Sequence, residues 1–252
     1  PKFMQCVTAT ARLSSRDPNF QNQPRGTTFP IRKVITSRFE GGKIMEIDFS
    51  QLEFRTAVFL AQDKQGMKDI DDGVDVHQFT ADTIGVSRQD AKAHTFKPLY
   101  GGMSGSDDEK RYYKAFLEKY KDIAKWHETL QSDAIQYKKV KLPSGREYSF
   151  PYAQRQAWGG SSYSTQIKNY PVQSFATADI VPVALLHIDA LLKDMRSCVV
   201  NSVHDSIVID VHPAEEQQVI NVIQATNDAL PSLITNRWGV VFNVPLLVKA
   251  KI

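Results

Sequence analysis

The sequence predicts an α+β protein, and three observations carry that prediction. Near the start, Ile44, Met45 and Ile47 form a strand-like apolar run that leads through Asp48 into a helix-start signal. Near the end, two β-rich runs in residues 198–211 flank the polar step His204-Asp205, which suits a hairpin. Between them, residues 107–139 are charged on one side, with Tyr113, Phe116, Leu117, Tyr120 and Trp126 making the other side apolar, as in a helix.

The chain has 252 residues, enough for one large or two small domains. With 42% hydrophobic and 23% charged residues it has the composition of an ordinary soluble globular protein. No apolar run approaches membrane-spanning length and no signal peptide is visible, so no membrane is expected as a partner. Two cysteines, Cys6 and Cys198, suit neither a disulfide framework nor a zinc site and fit a reducing cytoplasm. The net charge is only +3, yet the pI is about 8.8, which permits nucleic acid as a partner without requiring it. Proline at position 1 points to a processed or partial chain.

Residues 1–40 read as mixed strand and loop. The segment 8–24 is dense in amides and hydroxyls, and Pro18 and Pro24 force extended or turn conformations around them. Such a loop can line a groove, although a surface coat is the simpler reading. Residues 29–39, with Arg32, Lys33 and Arg38, return the chain towards the first core strand, and Gly41-Gly42 marks the turn before it. At that strand's exit a buried Asp48 carboxylate is costly unless it meets a cation or a donor. Asp48 is therefore well placed to hold a metal, but taken alone it is more simply an aspartate closing a strand-to-helix turn. Ser50 and Glu53 have capping-box spacing, and Leu52, Val58 and Phe59 continue the helix to about Gln62.

Residues 69–75 form an acidic, glycine-containing loop, and 76–85 a short helix closed by Gly85. His77, near its start, can donate to an anion or act as a plain capping residue. Ser87 and Asp90 make a second capping box, opening a helix that carries Arg88, Lys92, Phe96 and Tyr100. Spaced by four, these share one broad side over roughly 18 Å. Two cations followed by two aromatics suit a nucleotide, with phosphates at one end and sugar and base at the other. The competing reading is an amphipathic helix with solvated cations and buried rings. Pro98 removes a helical hydrogen bond and clashes with the His94 carbonyl, so the last turn should kink before Gly101-Gly102 ends the element.

Residues 140–150 read as a hairpin around Pro143-Ser144-Gly145, and 157–165 as a polar loop. Asn169 opens a long helix to about Lys193 that buries Val181, Leu185 and Ile188. Pro213, Glu215 and Glu216 start another helix, and a short strand over 246–252 closes the chain.

Two aspartates at strand ends and a helix bearing cations and aromatics make sense together. Paired carboxylates can hold two divalent ions and so stabilise the attacking and leaving oxygens of a phosphoryl displacement. Here the sequence resembles the family A DNA polymerases, of the bacterial repair-polymerase and phage-replicase type. Residues Asp48 to Arg55 (DFSQLEFR) resemble that family's first polymerase motif, usually written DYSQIELR. Arg88, Lys92, Phe96, Tyr100 and Gly101 match its fingers-helix motif at every defined position, and Val203-His204-Asp205 matches its third motif. Arg12-Leu13-Ser14-Ser15, with Pro18-Asn19-Phe20-Gln21-Asn22, resembles the segment written TGRLSS…PNLQNIP. His77, Asn169 and Gln173 fall where the family has matching residues, and the resemblance covers nearly the whole chain.

The resemblance implies a palm with an antiparallel sheet, residues 1–63 and 165–252, interrupted by mostly helical fingers at 64–164. It implies template-directed DNA synthesis from dNTPs on a primer 3′-hydroxyl, with two Mg²⁺ ions. Asp48, Asp205 and the Phe49 carbonyl would hold metal. Arg88 and Lys92 would contact the triphosphate, with His77 assisting and Lys92 protonating the pyrophosphate. Phe96 would stack on sugar and base, and Tyr100 would close the base-pair pocket. Glu53 would exclude a ribose 2′-hydroxyl, and Gln51 would also face the nucleotide. Arg12, Gln173 and His204 would touch the primer terminus or minor groove, with Asn22 and Asn169 as further DNA contacts. Phe96, where some relatives carry tyrosine, implies rejection of dideoxynucleotides.

Three departures stand out. Ser206 replaces the glutamate of the third motif, Lys97-Pro98 replaces a glycine and an aliphatic residue, and Thr165 stands where relatives often carry arginine. The family's thumb and exonuclease-like domains precede the first motif, so a second chain or an upstream segment is expected to supply them. Expected partners are primer–template DNA and dNTPs, in the bacterial cytoplasm or a phage-infected host, with a phage replicase the preferred source. A single-subunit RNA polymerase is the nearest rival, opposed by Glu53. A catalytically silent DNA-binding remnant is the other, opposed by retention of Asp48, Asp205, Arg88 and Lys92.

Overall fold

Alternation along residues 43–49 explains the centre of the fold: Met45, Ile47 and Phe49 are buried, whereas Ile44, Glu46 and Asp48 between them are half-buried. That is a strand with one face on the core and one polar face. The structure, a computed structural model, describes residues 1–24, 31–157 and 159–251. Residues 29 and 30 of the expected return segment, Trp158 of the polar loop and Ile252 of the last strand lie outside the described residues.

In chain order the strands and helices are β1 (Lys2–Met4), β2 (Ser14–Arg16), β3 (Lys43–Phe49), α1 (Leu52–Ala61), α2 (Lys64–Asp71), α3 (Val76–Ile84) and α4 (Arg88–Thr95). There follow α5 (Asp107–Lys119), α6 (Lys121–Tyr137), β4 (Lys139–Lys141), β5 (Glu147–Ser149), α7 (Ser164–Ser174) and α8 (Val181–Leu191). The chain closes with β6 (Cys198–Val203), β7 (Ser206–Val211), α9 (Glu216–Trp238) and β8 (Val248–Lys251). The mixture of helices and antiparallel sheets is the α+β class expected from the sequence.

The chain divides into two compact units, one of Pro1–Leu52, Ala176–Phe242 and Leu246–Ile252, the other of Glu53–Phe175 and Asn243–Pro245. The main breaks between these units fall at 52/53 and 175/176. Side-chain packing explains why α1 belongs to the second. In α1, Phe54 sits edge-on to Phe116 and Tyr120 at 6.4 and 5.2 Å, and Phe59 stacks on Phe175 at 5.6 Å.

In the first unit a four-stranded antiparallel sheet runs β6-β7-β3-β8. Residues facing each other across β3 and β7 include Met45 with Ile209 and Ile47 with Ile207, all at most 1% exposed. Helices α8 and α9 pack with each other and α8 on β6 and β7, burying Val181, Ala184, Ile188, Val219, Leu230 and Ile234. This apolar layer is the unit's main source of stability.

In the second unit the core is aromatic: Phe54, Tyr112, Tyr113, Phe116 and Tyr120 are all fully buried. The stretch 107–139 is two helices that break at Tyr120, where the backbone leaves the helical region (φ −100°, ψ 70°). Tyr120 donates to the Asp69 carboxylate at 2.8 Å and Tyr112 to the Thr95 carbonyl at 2.9 Å, so both of these buried phenols are satisfied. A second cluster, Leu130, Ala134, Val140, Phe150, Ala153 and Ile167, lies under the β4–β5 hairpin.

Two expectations need correction. The helix expected from Asn169 begins at Ser164 and passes through a π-helical segment, Phe175–Ile180, before α8. The resulting Ser164–Leu191 helix has 28 residues and holds an 18-residue window of mean hydropathy 1.4, long and apolar enough by length and composition to cross a membrane. No such run was expected from the sequence. Half of that window is buried within the protein, as its apolar side chains serve the core.

Candidate active site

Asp48 lies at the end of β3, paired in register with Ser206 of β7 and Lys249 of β8. Its side chain is half-buried, and Lys251 donates to its Oδ2 at 2.6 Å. Val203 pairs with Ser206, so His204-Asp205 is a two-residue hairpin turn. His204 takes the left-handed conformation (φ +56°) that lets such a turn match the strand twist. The turn presents Asp205 beside the strand end that carries Asp48. Burial pushes the Asp205 carboxyl above the ordinary aspartate value, and the Asp48 charge pushes it further; Arg12 and His204 pull the other way. Two carboxylates that repel each other in a partly desolvated place are a donor set suited to a divalent cation. Among the described residues no group of three or more His, Cys, Asp or Glu side chains forms a metal cage. The arrangement is an open pair, with Phe49 following Asp48 in the strand.

Arg12 donates from Nε to Thr177 Oγ1 at 2.8 Å, which fixes its guanidinium on the π-helical segment of the same unit. Gln21 ties the polar 17–22 loop to β6 through the Ser202 carbonyl at 3.0 Å. That loop is therefore fastened to the sheet. Asn22 is exposed, its N–H held by Asn19 Oδ1 at 3.3 Å.

The second unit holds the cations and aromatics. Ser87 caps α4, accepting from Asp90 N at 3.2 Å, and Asp75 caps α3 through His77 N and Gln78 N at 3.0 and 3.3 Å. Arg88 Nε also reaches Asp75 Oδ2, at 2.6 Å. Burial would raise the Asp75 carboxyl, but the Arg88 bond and the two backbone N–H groups outweigh it and hold the group below its ordinary value. An anion that takes the Nε–H of Arg88 competes with Asp75 for it. Lys92, one turn along α4, is exposed.

Burial lowers the His77 imidazole below its usual value, and Arg88 and Lys92 add to that against the opposing charge of Asp75. It is a neutral ring at pH 7, with Nδ1 2.9 Å from Thr95 Oγ1 and its centroid 5.2 Å from that of the Phe96 ring in an edge-on arrangement.

The single helix expected to carry Arg88, Lys92, Phe96 and Tyr100 stops early. Helix α4 ends at Thr95, and Tyr100 belongs to a separate 3-10 turn, Pro98–Tyr100. Pro98 has no N–H for the His94 carbonyl; Lys97 N takes that carbonyl instead at 3.1 Å, and the α-helix ends before the proline. Pro98 and Leu99 are buried, and His127 Nε2 lies 3.1 Å from the Leu99 carbonyl, so the turn is firmly seated. The Tyr100 hydroxyl donates to the Glu53 carboxylate at the start of α1. Just before α1, Gln51 takes a left-handed conformation (φ +53°). Asn169 and Gln173 lie one turn apart on α7, and the Asn169 Oδ1 is buried without a hydrogen-bond partner among the described residues.

Sequence reasoning singled out neither Lys251 nor Asp75. Alternation in the last strand marks Lys249 and Lys251 as one face, but the register sets Lys251 opposite Glu46, and only the side-chain geometry shows that it meets Asp48.

The chain belongs to DNA polymerase family A, whose sequence profile matches residues 1–252. It is 29% identical over 247 residues to DNA polymerase I of Lactococcus lactis, covering 88% of this chain and 28% of that protein. It is also 29% identical to DNA polymerase I of Pseudomonas aeruginosa, covering 98% of this chain and 28% of that protein. Among solved structures it resembles the POL domain of Pol1 from M. smegmatis, in complex with DNA primer-template and dNTP. There the TM-score is 0.78 at 25% identity, covering 99% of this chain and 46% of that one. The chain thus spans less than a third of the length of these two curated relatives.

Proposed function

We propose that this chain carries the nucleotidyl-transfer centre of a DNA-directed DNA polymerase, acting in a bacterial cytoplasm or a phage-infected cell. In this reading the first unit is the palm and the second the fingers. The observation that carries it is the Asp48–Asp205 pair at adjoining ends of neighbouring antiparallel strands, in a chain of this family.

Asp48, Asp205 and the Phe49 carbonyl would hold two Mg²⁺ ions. Bound there, such ions supply charge stabilisation to the attacking 3′-hydroxyl and to the phosphate oxygens. Arg88 and Lys92 bind the triphosphate, with Arg88 exchanging Asp75 for phosphate and Lys92 donating a proton to the leaving pyrophosphate. Neutral His77 donates a hydrogen bond to the same phosphates. Phe96 stacks on the sugar and base and disfavours dideoxynucleotides, while Tyr100 and Gln51 bound the nascent pair. Glu53, held by Tyr100, fills the space a 2′-hydroxyl would need. Arg12, His204, Asn22, Asn169 and Gln173 contact primer–template DNA. A thumb and an exonuclease-like domain come from an upstream segment or a second chain.

Primer extension tests the reading. Extension with Mg²⁺ and dNTPs, absent with EDTA, is expected. No extension, even after adding the family's upstream segment, overturns it. Glu53→Ala is expected to raise the ratio of ribonucleotide to deoxynucleotide incorporation about tenfold or more, since opening a shaped pocket by a few atoms is worth about 1–3 kcal/mol. An unchanged ratio removes Glu53 from sugar selection.

Asp75→Asn keeps a side chain that caps α3 but removes the charge that competes for Arg88. Both partners are well exposed, at 47% and 37%, so the pair is worth no more than about 1 kcal/mol. The dNTP KM is expected to fall by up to about fivefold with kcat unchanged. A rise in KM would make Asp75 a support for Arg88 and not its competitor.

A further inference from the structure

The polar face of the first unit's sheet holds a third carboxylate. Glu46 lies two residues before Asp48 in β3, so both side chains project from one face with Cα atoms roughly 7 Å apart. It is the one acidic residue in the apolar run that leads to Asp48. Its Oε1 lies 2.9 Å from Ser206 Oγ, and that hydroxyl is also 3.0 Å from the Val203 carbonyl. Ser206 is only 2% exposed and faces Asp48 across the β3–β7 ladder. Val203 and Ser206 are the two residues that bracket the His204-Asp205 turn. The hydroxyl therefore joins Glu46 to the base of the turn that presents Asp205, alongside Asp48.

On the same face, Lys251 lies opposite Glu46 in register but gives its ammonium to Asp48. Arg12 and His204 are the groups that pull the Asp205 carboxyl down. Glu46 thus adds negative charge to a face on which Lys251 donates to Asp48.

We propose that Glu46 is the positioning carboxylate of this cation site: acting through Ser206, it sets the orientation of the Asp205 turn and raises the affinity of the Asp48–Asp205 pair for a divalent cation. The strand that carries Asp48 so provides the acid that position 206 lacks. The inference rests on the polymerase reading only for the identity of the site as a cation site.

Calorimetric titration with Mn²⁺ in the absence of nucleotide tests it, with melting temperatures in EDTA measured alongside. Glu46→Gln keeps the shape and an acceptor for Ser206, and is expected to weaken Mn²⁺ binding about tenfold, the usual cost of losing a group behind the ligands. Glu46→Ser alone should be at least as weak. The exchange Glu46→Ser with Ser206→Glu, which returns one carboxylate and one hydroxyl to the same contact, should recover binding to within about threefold of the original protein. A fall in melting temperature without a change in Mn²⁺ affinity for Glu46→Gln overturns the inference and leaves the polymerase reading standing. So does an exchanged pair that folds but binds no better than Glu46→Ser. Failure of the unaltered protein to bind Mn²⁺ overturns both.

Discussion

Asp205→Asn is expected to lower dNTP incorporation by about a thousandfold or more while raising the melting temperature of the metal-free protein at neutral pH. The loss follows from removing one of two carboxylates assigned to hold Mg²⁺; about 4 kcal/mol of transition-state stabilisation corresponds to three powers of ten. The gain follows from burial and the neighbouring Asp48, which hold the Asp205 carboxyl above its ordinary value. As pH rises past the unfolded aspartate value of about 3.9, the unfolded chain has lost a proton that the folded protein still holds, so stability falls across that window. Asparagine carries no such penalty. Melting curves in EDTA at several pH values check this: the advantage of Asp205→Asn should be present at pH 7 and vanish near pH 3. Equal melting temperatures at pH 7 would mean that Lys251 and Arg12 already neutralise the pair. Retained incorporation would remove Asp205 from the reaction.

Asp63→Ala is expected to destabilise the protein by about 3–4 kcal/mol, a fall of roughly 10 °C in melting temperature for a chain of this size. Asp63 is fully buried, and one carboxylate serves two helix starts. Its Oδ1 accepts from Gly66 N at 2.7 Å, capping α2, and its Oδ2 accepts from Asp122 N and Ile123 N at 2.9 and 3.0 Å, at the start of α6. Alanine leaves three backbone N–H groups without their acceptor, two helix ends at once. Asp63→Asn offers one acceptor in place of two and should fall between. A melting temperature within about 2 °C of the original for Asp63→Ala would show that water reaches these donors.

Asp63 also shows where local reading stops. Periodicity ends a helix near Gln62 and composition starts an acidic loop at Asp69, and nothing in the intervening residues announces a carboxylate shared between helix starts 59 residues apart in sequence. The caps that did read correctly, Ser87 for α4 and Gly85 for α3, act within three or four residues of themselves. The early end of α4 was half legible: Pro98 signalled a disturbance, but whether the chain kinks or stops depended on burial of Pro98 and Leu99 and on His127 beneath them.

The same division runs through the candidate site. The sequence alone determined the α+β class, the family, the strand-end positions of Asp48 and Asp205, and the grouping of cations and aromatics between residues 88 and 100. Each of these is written in a short window of periodicity, capping or motif spacing. Only the tertiary structure decided that α1 joins the aromatic unit, that Asp75 holds Arg88, that Lys251 holds Asp48 and that Glu46 meets Ser206. Those contacts depend on sheet register and on which faces are buried. A shift of one residue in the β3–β7 pairing would turn Glu46 and Asp48 to the opposite face from Ser206. Register is set by the whole apolar layer beneath the sheet, so no local pattern could have shown it.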